Sequence, residues 1–165
     1  MNKSQIPNII SITRFFAGPL IFYLLLNNLF VLALIILVIA AITDGLDGFI
    51  ARKMGTTSTI GSYLDITADF TLIILVFLAF VFMGWYDPLI LLLIGLMFFL
   101  FIATSGLGKP VYDPVGKYLG SLLMAMIFIS ILIPEPIIRW ILLMIFVIFS
   151  VISIISRLLY LCSTH

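Results

Sequence analysis

Long apolar runs of roughly 14 to 20 residues, separated only by short polar stretches, make up most of this chain, and none alternates with a period of two. A run of that kind surrounded by lipid has no water to satisfy its peptide groups, so only helices or a closed barrel remain available. Without alternation the barrel drops out, and a helical membrane protein is expected. With 64% hydrophobic and 9% charged residues, an ordinary soluble core is excluded. Six helices are marked by their interruptions, at about 6–27, 29–53, 57–84, 88–107, 114–133 and 136–161. No stretch is long enough to be an interdomain linker, so residues 1–165 read as one domain. Arg14 interrupts the first apolar run and no small-residue cleavage site follows it, so a cleaved signal is not expected.

Charge placement orients these helices. Alternate turns fall on opposite faces of a membrane, which puts Lys3, Arg14, Arg52, Lys53, Lys109, Lys117 and Arg157 on one side and Arg139 on the other. By the positive-inside rule, both termini face the cytoplasm of a cell-membrane protein, and Trp85, Tyr86 and Trp140 lie near the opposite interface. A net charge of +1 gives no basic surplus for a nucleic-acid partner. Cys162 has no second cysteine to pair with, and His165 is the last residue.

The seven acidic residues divide into two groups. Asp87, Asp113 and Glu135 each precede a proline at a helix start, where a negative group meets unpaired N–H groups. Asp44, Asp47, Asp65 and Asp69 instead interrupt the second and third helices, where an ionised carboxylate is costly without partners. Spacings of three and four put each pair on one helical face. At about 1.5 Å per residue, Asp44 lies roughly 24 Å from the Asn28 turn and Asp69 roughly 22 Å from the Gly84 turn, so both pairs share a layer. Arg14 and Lys117 fall near that layer by the same reckoning. Oxygen-only ligation suits a hard cation such as Mg2+ or Mn2+, which commonly binds substrate phosphate as well. Buried Asp–Arg pairs that only fix packing are the structural alternative.

Asp44-Gly-Leu-Asp47-Gly48-Phe-Ile-Ala51-Arg52, then eight residues, Gly61, three residues, Asp65, three residues and Asp69 resembles the signature of the CDP-alcohol phosphotransferases, D-x-x-D-G-x-x-A-R-x8-G-x3-D-x3-D. The opening Pro7-Asn8 to Arg14 is similar to the family's start, which adds Asn8 and Arg14 as further candidates. The resemblance implies an all-α integral membrane fold of six transmembrane helices. It also implies transfer of a phosphatidyl or archaetidyl group from CDP-diacylglycerol or a CDP-ether lipid to an alcohol, releasing CMP. Asp44, Asp47, Asp65 and Asp69 would hold two divalent ions, with Asp69 also the general base. Asp47, Gly48, Ala51, Arg52 and Gly61 would meet the nucleotide, glycine allowing close approach and Arg52 presenting a planar donor fork. Outside such a motif the glycines would read as helix-packing residues and Arg52 as a cytoplasmic anchor. Similar enzymes are homodimers.

For the acceptor, Ser105, Lys109, Lys117 and Arg157 fall toward the cytoplasmic side, where similar enzymes using phosphorylated acceptors place a phosphate pocket. A phosphorylated alcohol follows, with glycerol 3-phosphate favoured and inositol phosphate or another alcohol as alternatives. Lys109 and Arg157 could equally snorkel to lipid headgroups. Asp65-Ile66 and Asp69-Phe70 depart from the Asp-Pro and following Lys usual in phosphatidylglycerophosphate synthases. Two other classes fit intramembrane aspartates: a small cation transporter, which would place them near the midplane on broken helices, and an inactive family member serving as an interaction partner.

Overall fold

The computed structural model describes residues 6–54, 59–105 and 118–163, with side chains described for 16–43, 66–102 and 118–157. Every regular element among them is helical: α1 (Ile6–Leu26), α2 (Phe30–Met54), α3 (Thr59–Phe82), α4 (Leu89–Ser105), α5 (Leu119–Leu132) and α6 (Pro136–Ser163). They fall into two compact units, Met1–Gly84 and Trp85–His165.

The helix ends follow from local chemistry. After α1, Asn28 adopts a left-handed φ of 58°, its N–H donates to the Leu25 carbonyl at 2.9 Å, and the Leu29 N–H donates to the Leu24 carbonyl at 2.9 Å. That paired closure satisfies two carbonyls the helix would otherwise leave open, and α2 begins directly beyond it. Gly84 ends α3 in the same way, with φ of 68° and its N–H donating to the Val81 carbonyl. At the start of α4, the Asp87 carboxylate accepts the Leu89 N–H at 2.9 Å, the helix-start role expected of it. Asp113 lies outside the described residues.

In the first unit α1 packs along both α2 and α3. Gly18 is a point of close approach to α3: a Cβ there would stand 3.3 Å from the Leu72 Cα. Phe22 and Phe82 meet edge-on further along, with ring centroids 6.1 Å apart. The two contacts advance together, so α1 and α3 run in the same direction. Phe77, Phe80, Leu72 and Val76 fill the buried face of α3. In the second unit α5 packs against α6, and Leu123, Met126, Ile127 and Phe146 are buried.

Much of the remaining surface is apolar. Phe16, Val31, Leu92, Phe99 and Ile137 point outward, while Ser130, Ser150, Ser153 and Arg157 are buried. Apolar outside and polar inside is the arrangement a hydrocarbon solvent selects. Among the described residues, Pro136–Arg157 of α6 is the one segment both long and apolar enough to cross a bilayer by itself. The described α5 has 14 residues, about 21 Å of helix against a hydrocarbon core of about 30 Å. The expected 114–133 helix would be longer, but residues 114–117 lie outside the described set.

Candidate active site

Two helices of the first unit carry the aspartates, and their levels can be counted from a shared end. Asp44 and Asp47 sit 14 and 17 residues into α2 from Phe30, and Asp69 and Asp65 sit 13 and 17 residues back along α3 from Phe82. At about 1.5 Å per residue all four lie roughly 20 to 26 Å from the end formed by the Asn28 and Gly84 turns. The close approach at Gly18 supplies a second, independent register. Arg14 is four residues before Gly18 and Asp69 three before Leu72, which places them within about 1.5 Å of the same level on parallel helices. Asn8, at the opening of α1, lies farther toward the opposite end.

Asp69 is half-buried on α3, beside the buried Ala68. Thr43, next to Asp44, donates its hydroxyl back to the Ile39 and Ala40 carbonyls, both at 2.9 Å. Thr71 does the same to Thr67 at 2.8 Å. These hydroxyls satisfy themselves within their own helices. A carboxylate only accepts, so the aspartates cannot bond back to helix carbonyls as these hydroxyls do. The side chains of Asn8, Arg14, Asp44, Asp47, Gly48, Ala51, Arg52, Gly61 and Asp65 lie outside the described set, although all are on described helices. Among the described residues no three His, Cys, Asp or Glu side chains form a group that could hold a metal. The donor set that the sequence points to, four carboxylates at one level of two helices, fits a hard divalent ion that takes oxygen ligands.

In the second unit Arg157 is buried, only 5% exposed, with its guanidinium carbon 5.9 Å from the Phe101 ring centroid. Arg157 therefore does not simply reach for lipid headgroups, as a snorkelling side chain would. Ser105 ends α4 with its side chain outside the described set, and Lys109 and Lys117 lie outside the described residues altogether. Ser150 and Ser153 share the buried face of α6 with Arg157, and the sequence reading passes over them. Their spacing of three and four residues toward Arg157 is the signal that marks them.

At the far end of this unit, the Arg139 guanidinium carbon lies over Trp85, 3.6 Å from the ring centroid, and Arg139 donates to the Pro134 carbonyl at 3.2 Å. Tyr86 and Ser130 share a buried hydroxyl–hydroxyl bond of 2.7 Å. Burial pushes the Tyr86 phenol above its ordinary pKa, outweighing the lowering effects of Ser130 and the Arg139 charge. Trp85, Tyr86 and Arg139 thus cluster as a structural group.

The family model for CDP-alcohol phosphatidyltransferase matches residues 4–152. The chain is 32% identical over 131 residues to a CDP-diacylglycerol--glycerol-3-phosphate 3-phosphatidyltransferase of Aquifex aeolicus, covering 78% of this chain and 74% of that protein. A chloroplastic protein of the same description from Oryza sativa subsp. japonica is 45% identical over 69 residues, 42% of this chain and 21% of its own. The cardiolipin synthase (CMP-forming) of Rattus norvegicus is 42% identical over 79 residues, 47% of this chain and 26% of its own. The chain thus spans about three quarters of the Aquifex protein but only about a fifth to a quarter of the other two.

Proposed function

The chain belongs to the CDP-alcohol phosphatidyltransferase family, and on that premise we propose that it is a membrane phospholipid synthase transferring a phosphatidyl group from a CDP-activated lipid to glycerol 3-phosphate, with release of CMP. The observation that carries the reading is the common level of the two aspartate pairs, set on helices that α1 packs against. It is joined by the eight-position signature that those aspartates frame.

Asp44, Asp47, Asp65 and Asp69 hold Mg2+ or Mn2+, as two ions, in this reading. When bound, such ions neutralise the diphosphate and stabilise the departing phosphate. Arg52 presents its donor fork to the nucleotide's phosphate, while Asp47, Gly48, Ala51 and Gly61 line its approach without bulk. Asp69 takes the proton of the attacking hydroxyl. The new bond joins the alcohol oxygen to the lipid-linked phosphorus. The bond from that phosphorus to the bridging oxygen breaks, and CMP leaves with the electron pair. Ser105, Lys109, Lys117 and Arg157 receive the acceptor's phosphate. The six helices cross the membrane with both termini and the site on the cytoplasmic side, in keeping with seven cationic residues against one. The working form is a homodimer. A second acceptor, a lipid rather than a soluble phosphate, is favoured by the relatives described as CMP-forming cardiolipin synthases.

The test is CMP release from CDP-diacylglycerol or a CDP-ether lipid by purified protein with Mg2+, against a panel of glycerol 3-phosphate, inositol phosphate, free alcohols and phosphatidylglycerol. Turnover with glycerol 3-phosphate, lost in Asp69→Asn, is expected. Release confined to phosphatidylglycerol would move the assignment to the second acceptor, and undiminished release by Asp69→Asn would refute the base.

A further inference from the structure

The buried face of α6 carries Leu142, Phe146, Ser150, Ser153 and Arg157, spaced by four, four, three and four residues, so one apolar stripe turns polar over its last two turns. Ser153 is fully buried and Ser150 is 1% exposed, yet the Ser150 Oγ has no hydrogen-bond partner among the described residues. Other hydroxyls behave differently. Thr43 and Thr71 bond back to their own helices, and Ser130 pairs with Tyr86. A buried, unmet hydroxyl is costly, and in a native protein it marks a missing partner such as water or a ligand. Ser153 lies about 6 Å along the helix from Arg157, and Ser150 about 4.5 Å beyond it.

We propose that Ser150 and Ser153 form the hydroxyl-binding floor of the acceptor pocket whose phosphate end is Arg157, and that they select a polyol phosphate over its deoxy analogue. This rests on the reading of the reaction given above. A phosphate held by Arg157 leaves a three-carbon chain pointing along the stripe, and its non-reacting hydroxyl then meets serine hydroxyls that can both donate and accept. An acceptor lacking that hydroxyl leaves the Ser150 hydroxyl unmet, and a site built to bind a hydroxyl discriminates on that basis.

The experiment compares glycerol 3-phosphate with 3-hydroxypropyl phosphate, which keeps the phosphate and a primary hydroxyl but lacks the secondary one. Wild-type protein, Ser150→Ala, Ser153→Ala and the double variant are assayed for KM and kcat with each, and their thermal unfolding in detergent is followed alongside. The expected result is an acceptor KM for glycerol 3-phosphate raised about tenfold by a serine loss, with kcat and the KM for 3-hydroxypropyl phosphate unchanged. Equal changes for the two acceptors, or no change with either, overturns the proposal, as does an effect that merely follows lost thermal stability. Wild-type protein that releases no CMP with glycerol 3-phosphate fails the reaction reading itself, and the inference falls with it. The two failures are told apart by wild-type turnover alone.

Discussion

Gly18→Ala adds one methyl where α1 and α3 approach closely, and its effect can be worked out from two distances. The new Cβ would stand 3.1 Å from the Leu75 Cδ1 and 3.3 Å from the Leu72 Cα, where carbon atoms pack best at about 3.5–4.0 Å. The Leu75 methyl is the end of a flexible side chain and can turn aside. The Leu72 Cα is backbone and moves only with α3. Forcing the helices apart costs about 1–3 kcal/mol, as overpacking generally does. Against this, alanine gains up to about 1 kcal/mol over glycine inside a helix. Gly95, inside α4, has no described neighbour within 4 Å of where a Cβ would stand and serves as the control. Gly95→Ala keeps the gain without the clash, so the difference between the two variants isolates the helix contact at about 1–3 kcal/mol. For a chain of this length that corresponds to a melting difference of a few to about ten degrees. Thermal unfolding in one detergent, with all three proteins side by side, reads it. CMP release should fall in Gly18→Ala but not in Gly95→Ala, because the same contact sets the level of Asp69 against α1. A Gly18→Ala protein as stable as Gly95→Ala would refute the packing of α1 on α3 described here.

Two further perturbations address the second unit. Tyr86→Phe leaves the Ser130 hydroxyl buried without its partner and should cost about 1–3 kcal/mol, while Tyr86→Phe with Ser130→Ala should recover part of the loss in the same unfolding assay. Because the folded phenol's pKa is raised, its contribution to stability is fully present below its ordinary value near 10 and is lost as pH rises through the folded value. Wild-type stability should therefore fall more steeply than that of Tyr86→Phe above about pH 10 and run parallel to it between 7 and 9. Arg139→Lys removes a planar group stacked 3.6 Å from the Trp85 ring centroid and should cost about 0.5–2 kcal/mol, with a change in tryptophan emission that Arg139→Lys in a Trp85→Phe background does not reproduce.

The helices were legible in the sequence because their ends are chemical events: Asn27-Asn28, Gly84, Asp87-Pro88 and Pro134-Glu135-Pro136 each stop or start one, and the observed ends lie close to those residues. Which helices pack together was not legible. In a soluble helix the buried face announces itself by being apolar, but here Val31, Leu32 and Ile35 face outward while Ala33 and Leu37 face inward, and the two sets are chemically alike. The contact at Gly18 depends on which small residue meets a partner's backbone, and the Tyr86–Ser130 bond joins residues 44 apart.

The same physics explains why half of the candidate site could be read and half could not. A carboxylate in an apolar helix is costly and cannot bond back to helix carbonyls, so Asp44, Asp47, Asp65 and Asp69 stand out at once in the sequence, and their spacing does the rest. A serine usually satisfies itself on the carbonyl one turn back, so its presence in such a helix carries almost no information until the bond is known to be missing. Ser150 became informative only through its unmet hydroxyl, whereas Arg157 was a candidate from the sequence to which the structure adds burial. In a helix solvated by lipid, the residues that point to a ligand are therefore those whose polarity their own helix leaves unanswered. On α6 Ser150 is such a residue, on the face that ends at Arg157.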